Sequence, residues 1–300
     1  MQPTGKALDL NQLRSFLAVY RAGSLTRGAR SLKLAQPTVT SQIRALEQQL
    51  DRQLFERLPR GMAPTAVADE LAARIAAPID QLAVVADRDT SAVTEPVHLA
   101  GPVELLSVRA LPALAPLVAQ GVRLRITAGL ADDLLDGLRA GRYDLVLSAV
   151  RPRGRSVLAT PLMDEEFVLI ATPGWAARIG PLTCDDPGPL TGVPLITYAE
   201  DLPIARRYWR HVFRTRLTVP PAVVFADLRG VLAAVIADAG ISVLPRYLCA
   251  EQLRAGSVVA LLEPEDPPIN TGFLAQRTGT TLNPDITRVR NTLVAAAHSW

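Results

Sequence analysis

Apolar residues recur along the first sixty-five positions at the spacing of three short helices and a hairpin. Leu10, Leu13, Phe16, Leu17 and Tyr20 follow the 3.6-residue period, and Gly23 ends that helix. Ser24 stands where it can cap a second helix, whose apolar edge is Leu25, Ala29 and Leu32. Val39, Ile43, Leu46 and Leu50 form the edge of a third. After Asp51, Leu54 and Phe55 lead into "ERLPRGMAPT", an extended segment that turns at Pro59 to Gly61. Thr65 caps a longer helix over about residues 66–88, with a stripe at Val67, Leu71, Ile75, Leu82 and Val85. No sequence neighbour covers that stripe, so a second copy of the chain is expected to pair along it, unless it packs on the downstream domain. Pro78 interrupts the pattern and predicts a kink.

"TSAVTEP", residues 90–96, reads as a hinge, and the texture changes after it. Strands are expected over residues 97–100, 124–127, 144–149, 167–171, 194–198, 223–225, 241–244, 258–262 and 272–275. Between them lie helical segments such as "LPALAPLVAQG" and "LRGVLAAVIADAG". Alternating strands and helices predict a doubly wound α/β sheet. The strands are too many for one sheet of ordinary size, so two α/β lobes with a cleft between them are expected. The second lobe is placed at about residues 165–265, with the Pro/Gly-rich segment 184–194 as a candidate for its opening.

Composition changes this picture in two ways. Apolar residues make up 49% and charged residues 20% of the 300, which excludes a disordered chain. Charge is distributed unevenly: residues 1–65 hold ten Lys/Arg against four Asp/Glu, and the remainder twenty-two against twenty-five. A basic head on a slightly acidic body points to a polyanionic partner for the head. Two short helices, a tight turn and a basic hairpin are the pattern of a winged helix-turn-helix. No run approaches the ~18 apolar residues of a membrane span, and the N-terminus lacks an apolar signal core, so a cytoplasmic protein with no membrane partner is expected. Cys184 and Cys249 suit a reduced compartment. His98, His211 and His298 are scattered, and no phosphate-cradling loop or nucleophile motif is present. Neither an enzyme nor a metal or cofactor site is expected.

The stretch from Leu13 to Arg57 resembles the LysR-type transcriptional regulators. It carries the family's pattern as Gly23–Ser24–Leu25–Thr26, Ala35–Gln36–Pro37, Ile43-x-x-Leu46–Glu47 and Leu54–Phe55–Glu56–Arg57. The resemblance extends, more loosely, through the whole chain. It implies three parts: a DNA-binding domain over residues 1–65, a linker and dimerisation helix over 66–90, and an effector-binding domain over 91–300 built like a periplasmic binding protein. It also implies a dimer or tetramer on operator DNA, controlled by a small molecule held between the lobes. A solute-binding protein or enzyme of the same body fold is the alternative. That alternative leaves the basic head unexplained.

The resemblance places the third helix in the DNA major groove. The implied contacts are Gln36, Pro37, Thr38, Thr40, Ser41 and Arg44, with Arg57 and Arg60 of the wing on the backbone. An amide such as Gln36 pairs bidentately with adenine, hydroxyls serve bases or phosphates, and Pro37 costs little in a first turn. The family usually has Arg where Ser41 stands, Ser where Ala35 stands, and Gly where Asp51 and Ala68 stand. Losing the cap at Ala35 costs about 1 kcal/mol. Asp51 tolerates a left-handed conformation.

Carried over by position, the effector cleft would include Pro102, Glu104 and Ser107 after the first strand of the body. Gly129 and Leu130 would follow the second strand, Ser148 the third, and Tyr198 and Glu200 would come from the second lobe. A carboxylate at Glu104 near a helix start disfavours an anionic ligand, so a neutral or amine-bearing effector is expected rather than a dicarboxylate. Ser107, Arg151 or Arg229 would otherwise supply an anion site.

Overall fold

A computed structural model describes residues 8–58, 61–86, 95–153, 156–278 and 283–300. Its head is α1 (Leu10–Ala22), α2 (Leu25–Ser31), α3 (Gln36–Leu50), and the antiparallel strands β1 (Phe55–Leu58) and β2 (Gly61–Pro64). Gly23 ends α1 in the left-handed region at φ 62°. Asp51 does the same for α3 at φ 50°, as a short polar side chain allows. Ser24 occupies the cap position of α2, but its side chain makes no capping bond, contrary to expectation. Gly28 is required by packing, because a Cβ there would lie 2.8 Å from Val19.

The long helix α4 (Ala66–Ala86) begins at Thr65, whose Oγ1 accepts from Ala68 N at 3.3 Å. Here the uncovered-stripe expectation needs correction. Leu71, Ala72 and Ala76 are buried in the head's own core with Phe16, Tyr20 and Phe55, and Val67, Ile75 and Ile79 pack against it. Ala140 of the body joins the same cluster. Leu82 is 52% exposed. The side chain of Val85, the turn at Pro59–Arg60 and the hinge residues 90–94 lie outside the described residues.

The body's first lobe contains parallel strands β3 (Val97–Gly101), β4 (Leu124–Ala128) and β5 (Leu145–Ser148). It adds α5 (Val103–Leu105), a π-helical turn over Leu106–Ala110, α6 (Leu111–Ala119) and α7 (Ala131–Arg139). The long strand β6 (Val157–Ala171) runs out of this lobe into the second. There it meets α8 (Pro173–Ile179), β7 (Ile196–Thr197), α9 (Pro203–Val212), β8 (Val223–Val224) and α10 (Leu228–Ile236). β9 (Ser242–Pro245), α11 (Arg246–Ala255) and β10 (Val259–Ala260) follow. β11 (Ile269–Arg277) returns antiparallel to β6 and β5, and α12 (Pro284–Ala297) closes the first lobe.

The sheet is therefore mixed, in the order β10-β6-β11-β5-β3-β4 with β9 also on β6, and not wholly parallel as a doubly wound pattern predicts. Strand β6 begins ten residues before the expected 167–171 strand. Its middle carries Asp164, Glu165 and Glu166, which interrupt the apolar pattern before it resumes in the second lobe, where both faces enter a core. There Val168 and Ile170 face one cluster with Val231 and Leu244, while Phe167, Leu169 and Ala171 face another with Tyr208 and Trp209. Segment 184–194 lies inside the second lobe, with Leu190 and Val193 in its core, and does not open it.

Candidate nucleic-acid interface and interlobe cleft

Helix α3 buries Val39, Ile43 and Leu46 completely or nearly so. The residues turned away from that seam are exposed: Gln36, Pro37, Thr38, Ser41, Arg44 and Gln48, with Thr40 half-buried. Gln36, Pro37, Thr40, Ser41, Arg44 and Gln48 line one shallow surface, which does not include Thr38. Gln36 Oε1 accepts from Thr26 Oγ1 of α2 at 2.9 Å, which anchors one end of the amide and leaves its NH2 group as donor. Thr40 Oγ1 donates to Gln36 O at 2.9 Å, so its hydroxyl retains only acceptor capacity toward an outside group. The helix opens on Ala35 without a side-chain cap, and Pro37 stands in its first turn. The side chain of Arg57 and the whole of Arg60 lie outside the described residues.

One residue of this region carries a role that its motif position did not reveal. Glu47 Oε1 accepts from Leu54 N at 2.8 Å and Phe55 N at 3.3 Å, fastening the end of α3 to the entry of the wing. Those N–H groups lie at the entry of the β1–β2 ladder, where a part-buried N–H needs a partner.

The head is clamped to the body through α1, α4 and β11. Arg21 grips Asp80 with two bonds of 2.9 and 2.8 Å, and Arg277 reaches the same carboxylate at 3.3 Å. Arg277 also donates to Leu138 O at 2.9 Å and Tyr143 O at 2.7 Å. The Arg142 guanidinium lies 5.6 Å from the centre of the Tyr20 ring, and Tyr20 hydrogen-bonds Asp69. Gly141 sits at φ 76°, in the left-handed region that favours glycine, and a Cβ there would fall 2.2 Å from the Arg21 guanidinium, which would have to move.

Side chains of both lobes meet where β6 and β11 run between them. From the second lobe, Arg229 donates to Ser107 Oγ at 2.9 Å, while Asp227 holds that guanidinium through contacts of 2.6 to 3.1 Å. The Arg229 hydrogen bonds keep the Asp227 carboxyl below its ordinary range. Glu165 is 8% exposed. Asn270 Nδ2 reaches Ala149 O at 3.1 Å and Glu165 Oε2 at 3.4 Å, and Arg207 donates to Asn270 Oδ1 at 2.9 Å. Burial pushes the Glu165 carboxyl up to about 7; the Asn270 amide opposes the shift and the charge of Glu104 adds to it. Glu104 is raised as well, first by burial. The Arg109 guanidinium sits 5.2 Å above the Tyr247 ring. Burial first, then the charges of Glu165 and Glu104, raise the Tyr247 phenol, whose hydroxyl lies within reach of the Glu165 carboxylate.

Of the expected cleft residues, Ser107 is bonded to Arg229, and the Tyr198 phenol is raised to about 12 by burial and then by the charges of Asp201 and Glu104. Pro102 is half-buried at the cap of α5. Gly129 continues the β3–β4 ladder through its N–H to Gly101 O at 3.2 Å, and Leu130 is 72% exposed. Ser148 is buried and spends its hydroxyl on Val150, donating to O at 2.7 Å and accepting from N at 3.1 Å. Glu200 is exposed, and no hydrogen bond or ion pair ties it to the group. Sequence reading missed Glu165, Arg207, Tyr247 and Asn270. A cue was available in "MDEEF", a polar run inside the strand β6 that passes between the two lobes. Cys249 is buried and its thiol is pushed up to about 11 by that burial, which disfavours a thiolate.

A winged helix-turn-helix with a bare polar face, joined through a long helix to a two-lobed body, defines a class: DNA-binding regulators with a ligand-binding domain. Residues 10–69 match the family described as "Bacterial regulatory helix-turn-helix protein, lysR family", and residues 91–297 match "LysR substrate binding domain". The HTH-type transcriptional regulator AbaB of Streptomyces antibioticus is 47% identical over 300 residues, covering 98% of this chain and all of its own. The HTH-type transcriptional regulator PtxR of Pseudomonas aeruginosa is 30% identical, over 85% of this chain and 82% of its own. Among solved structures, ArgP from Mycobacterium tuberculosis superposes with a TM-score of 0.75 at 22% identity, over 97% of this chain and 98% of that one. The chain belongs to the LysR family, whose members are transcriptional regulators and not enzymes. No helix among the described residues is long and apolar enough to cross a membrane.

Proposed function

We propose that the chain represses or activates transcription as a homo-oligomer on operator DNA, in response to a small effector held in the interlobe cleft. Helix α3 enters the major groove with Gln36, Ser41 and Arg44 toward base edges, while Pro37, Thr38, Thr40 and the wing arginines Arg57 and Arg60 lie along the backbone. The observation that carries this reading is the bare polar face of α3, held rigid from behind by a fully buried seam. Self-association falls to the end of α4 around Leu82, since the first half of the stripe is already covered.

Strand β11 supports the coupling. It begins beside the cleft, where Asn270 meets Glu165, and ends at the head, where Arg277 meets Asp80. A ligand that resets the cleft therefore acts on the same rigid element that holds the linker helix. Footprinting of the full chain on the DNA flanking its own gene tests the reading. A protected segment is expected, and it should vanish in Gln36→Ala/Arg44→Ala protein of unchanged thermal midpoint. An unaltered footprint would remove α3 from base recognition.

A further inference from the structure

The second lobe carries a recess of about 230 Å³, away from the cleft, between the turn at Gly188–Leu190, α9 and the chain that follows α9. Its walls include Leu190, Val193, Leu195, Trp209, Leu217 and Ile241, none more than 8% exposed. Its rim is polar, with Thr191, Thr215, Arg216 and Thr218 exposed. The walls are held in place from behind. Leu195 bridges Ile241 at the entry of β9, and Ile241 N donates to Pro194 O at 2.9 Å. The Trp209 ring packs edge-on against Phe213 with 5.3 Å between centres. Apolar walls with a few polar groups converging at the mouth are the layout of a small-molecule site.

Charge decides what such a site would take. Residues 203–216 hold five arginines and no acid, within a body that otherwise has more acids than bases. Arg207 is spent on Asn270 Oδ1 and Ile269 O, and His211 meets Asp266. Arg206, Arg210, Arg214 and Arg216 have no hydrogen bond or ion pair among the described residues. Asp186, the acid beside the rim residue Gly188, spends Oδ1 on Gly188 N at 2.8 Å. Arg216 is therefore a cation without a partner at the mouth of an apolar recess. A guanidinium offers a carboxylate two parallel N–H donors, and low-polarity walls strengthen that pairing.

We propose that this recess is a second small-molecule site, separate from the interlobe cleft, for a compact monocarboxylate with an apolar body. The body rests against Trp209, Leu195 and Ile241, and the carboxylate meets Arg216 at the rim, with the threonine hydroxyls as further donors. The volume holds about eight water-sized groups at ~30 Å³ each, which suits one ring or a short branched chain. An amine-bearing ligand of the same shape meets the like charge of Arg216, and a neutral one gains the wall contacts alone.

Calorimetric titration of the full chain at pH 7 with phenylacetate, phenylacetamide and 2-phenylethylamine tests the proposal. The three share one skeleton and carry one negative charge, none and one positive charge. Phenylacetate should bind about tenfold or more tightly than the other two, the scale of one charge-assisted hydrogen bond. Arg216→Gln, at an exposed position, should remove that preference while leaving phenylacetamide binding unchanged. Arg216→Lys keeps the charge and should keep part of the preference. Equal affinities for the three probes, or no binding of phenylacetate, overturn the proposal, and so does a preference that survives Arg216→Gln. A preference lost in Arg229→Ala but not in Arg216→Gln overturns it too, by placing the acid in the interlobe cleft, and upholds the cleft as a ligand site.

Discussion

The polar face of α3 is drawn from one helix, with Gln36, Ser41, Arg44 and Gln48 on successive turns above a seam of Val39, Ile43 and Leu46. The cleft is drawn from five separate segments, which bring Glu104, Glu165, Tyr198, Arg229 and Asn270 to one place. The first surface is open, and its groups are solvated and ready to meet an outside partner. The second is partly buried, and at Glu165, 8% exposed, burial has already altered the chemistry, pushing its carboxyl up to about 7. A recognition helix needs rigidity behind an exposed face, and local periodicity supplies it. A ligand site needs desolvated groups from several directions, and only tertiary folding supplies that.

The largest expected consequence of this contrast is a pH effect confined to the cleft. Glu165 titrates near 7 in the folded chain and in the ordinary carboxylate range when unfolded. Between those limits the native state holds a proton that the unfolded state has lost, so stability falls as pH rises from about 4.5 to about 7, by up to about 3 kcal/mol. Glu104 and Asp144, also raised by burial, act in the same direction. Chemical denaturation across that window should show the slope, and Glu165→Gln should flatten it. A slope unchanged in Glu165→Gln would mean that the cleft carboxylate is as well solvated as the surface of α3.

Glu47→Ala probes the support behind the reading face. Removing the carboxylate leaves Leu54 N and Phe55 N without a partner, which should cost about 2 kcal/mol in urea unfolding. A cost near zero would show that the wing entry is held by other contacts. The joint between the two regions comes next. Asp80→Asn leaves Arg21 and Arg277 close together without an anion, at a cost of about 1 kcal/mol, tempered because Asp80 is 30% exposed. The same variant should change the ligand dependence of operator binding, and an unchanged response would dismiss β11 as the link. Least affected is Leu130→Ala, at a residue 72% exposed, which should shift stability by less than about 0.5 kcal/mol. A larger loss would show that Leu130 packs against the body in solution.

How far each region could be read from sequence follows from the same contrast. The head was legible because Leu10 to Leu50 write helix periods and their stops locally, including Gly23 and Asp51 in the left-handed conformation. What escaped there was non-local: Glu47 reaching the wing, and α4 turning Leu71 toward the head rather than toward a second copy. In the body, apolar strands such as β3 and β5 were legible. The continuity of β6 was not, because Asp164, Glu165 and Glu166 interrupt its apolar pattern where the strand passes between the lobes and has no continuous core on both faces. Ser148 looked available by position, yet its hydroxyl closes on Val150 in a turn that no spacing rule announces.

The central claim is that α3 reads bases while its seam only supports it, and fluorescence anisotropy of Gln36→Ala on two duplexes tests this most directly. One duplex carries the footprinted operator and the other a scrambled sequence, at equal salt. Operator affinity should fall by about 1–3 kcal/mol, with scrambled binding and its salt dependence unchanged. An equal loss on both duplexes would contradict the account, because Gln36 would then serve the backbone alone.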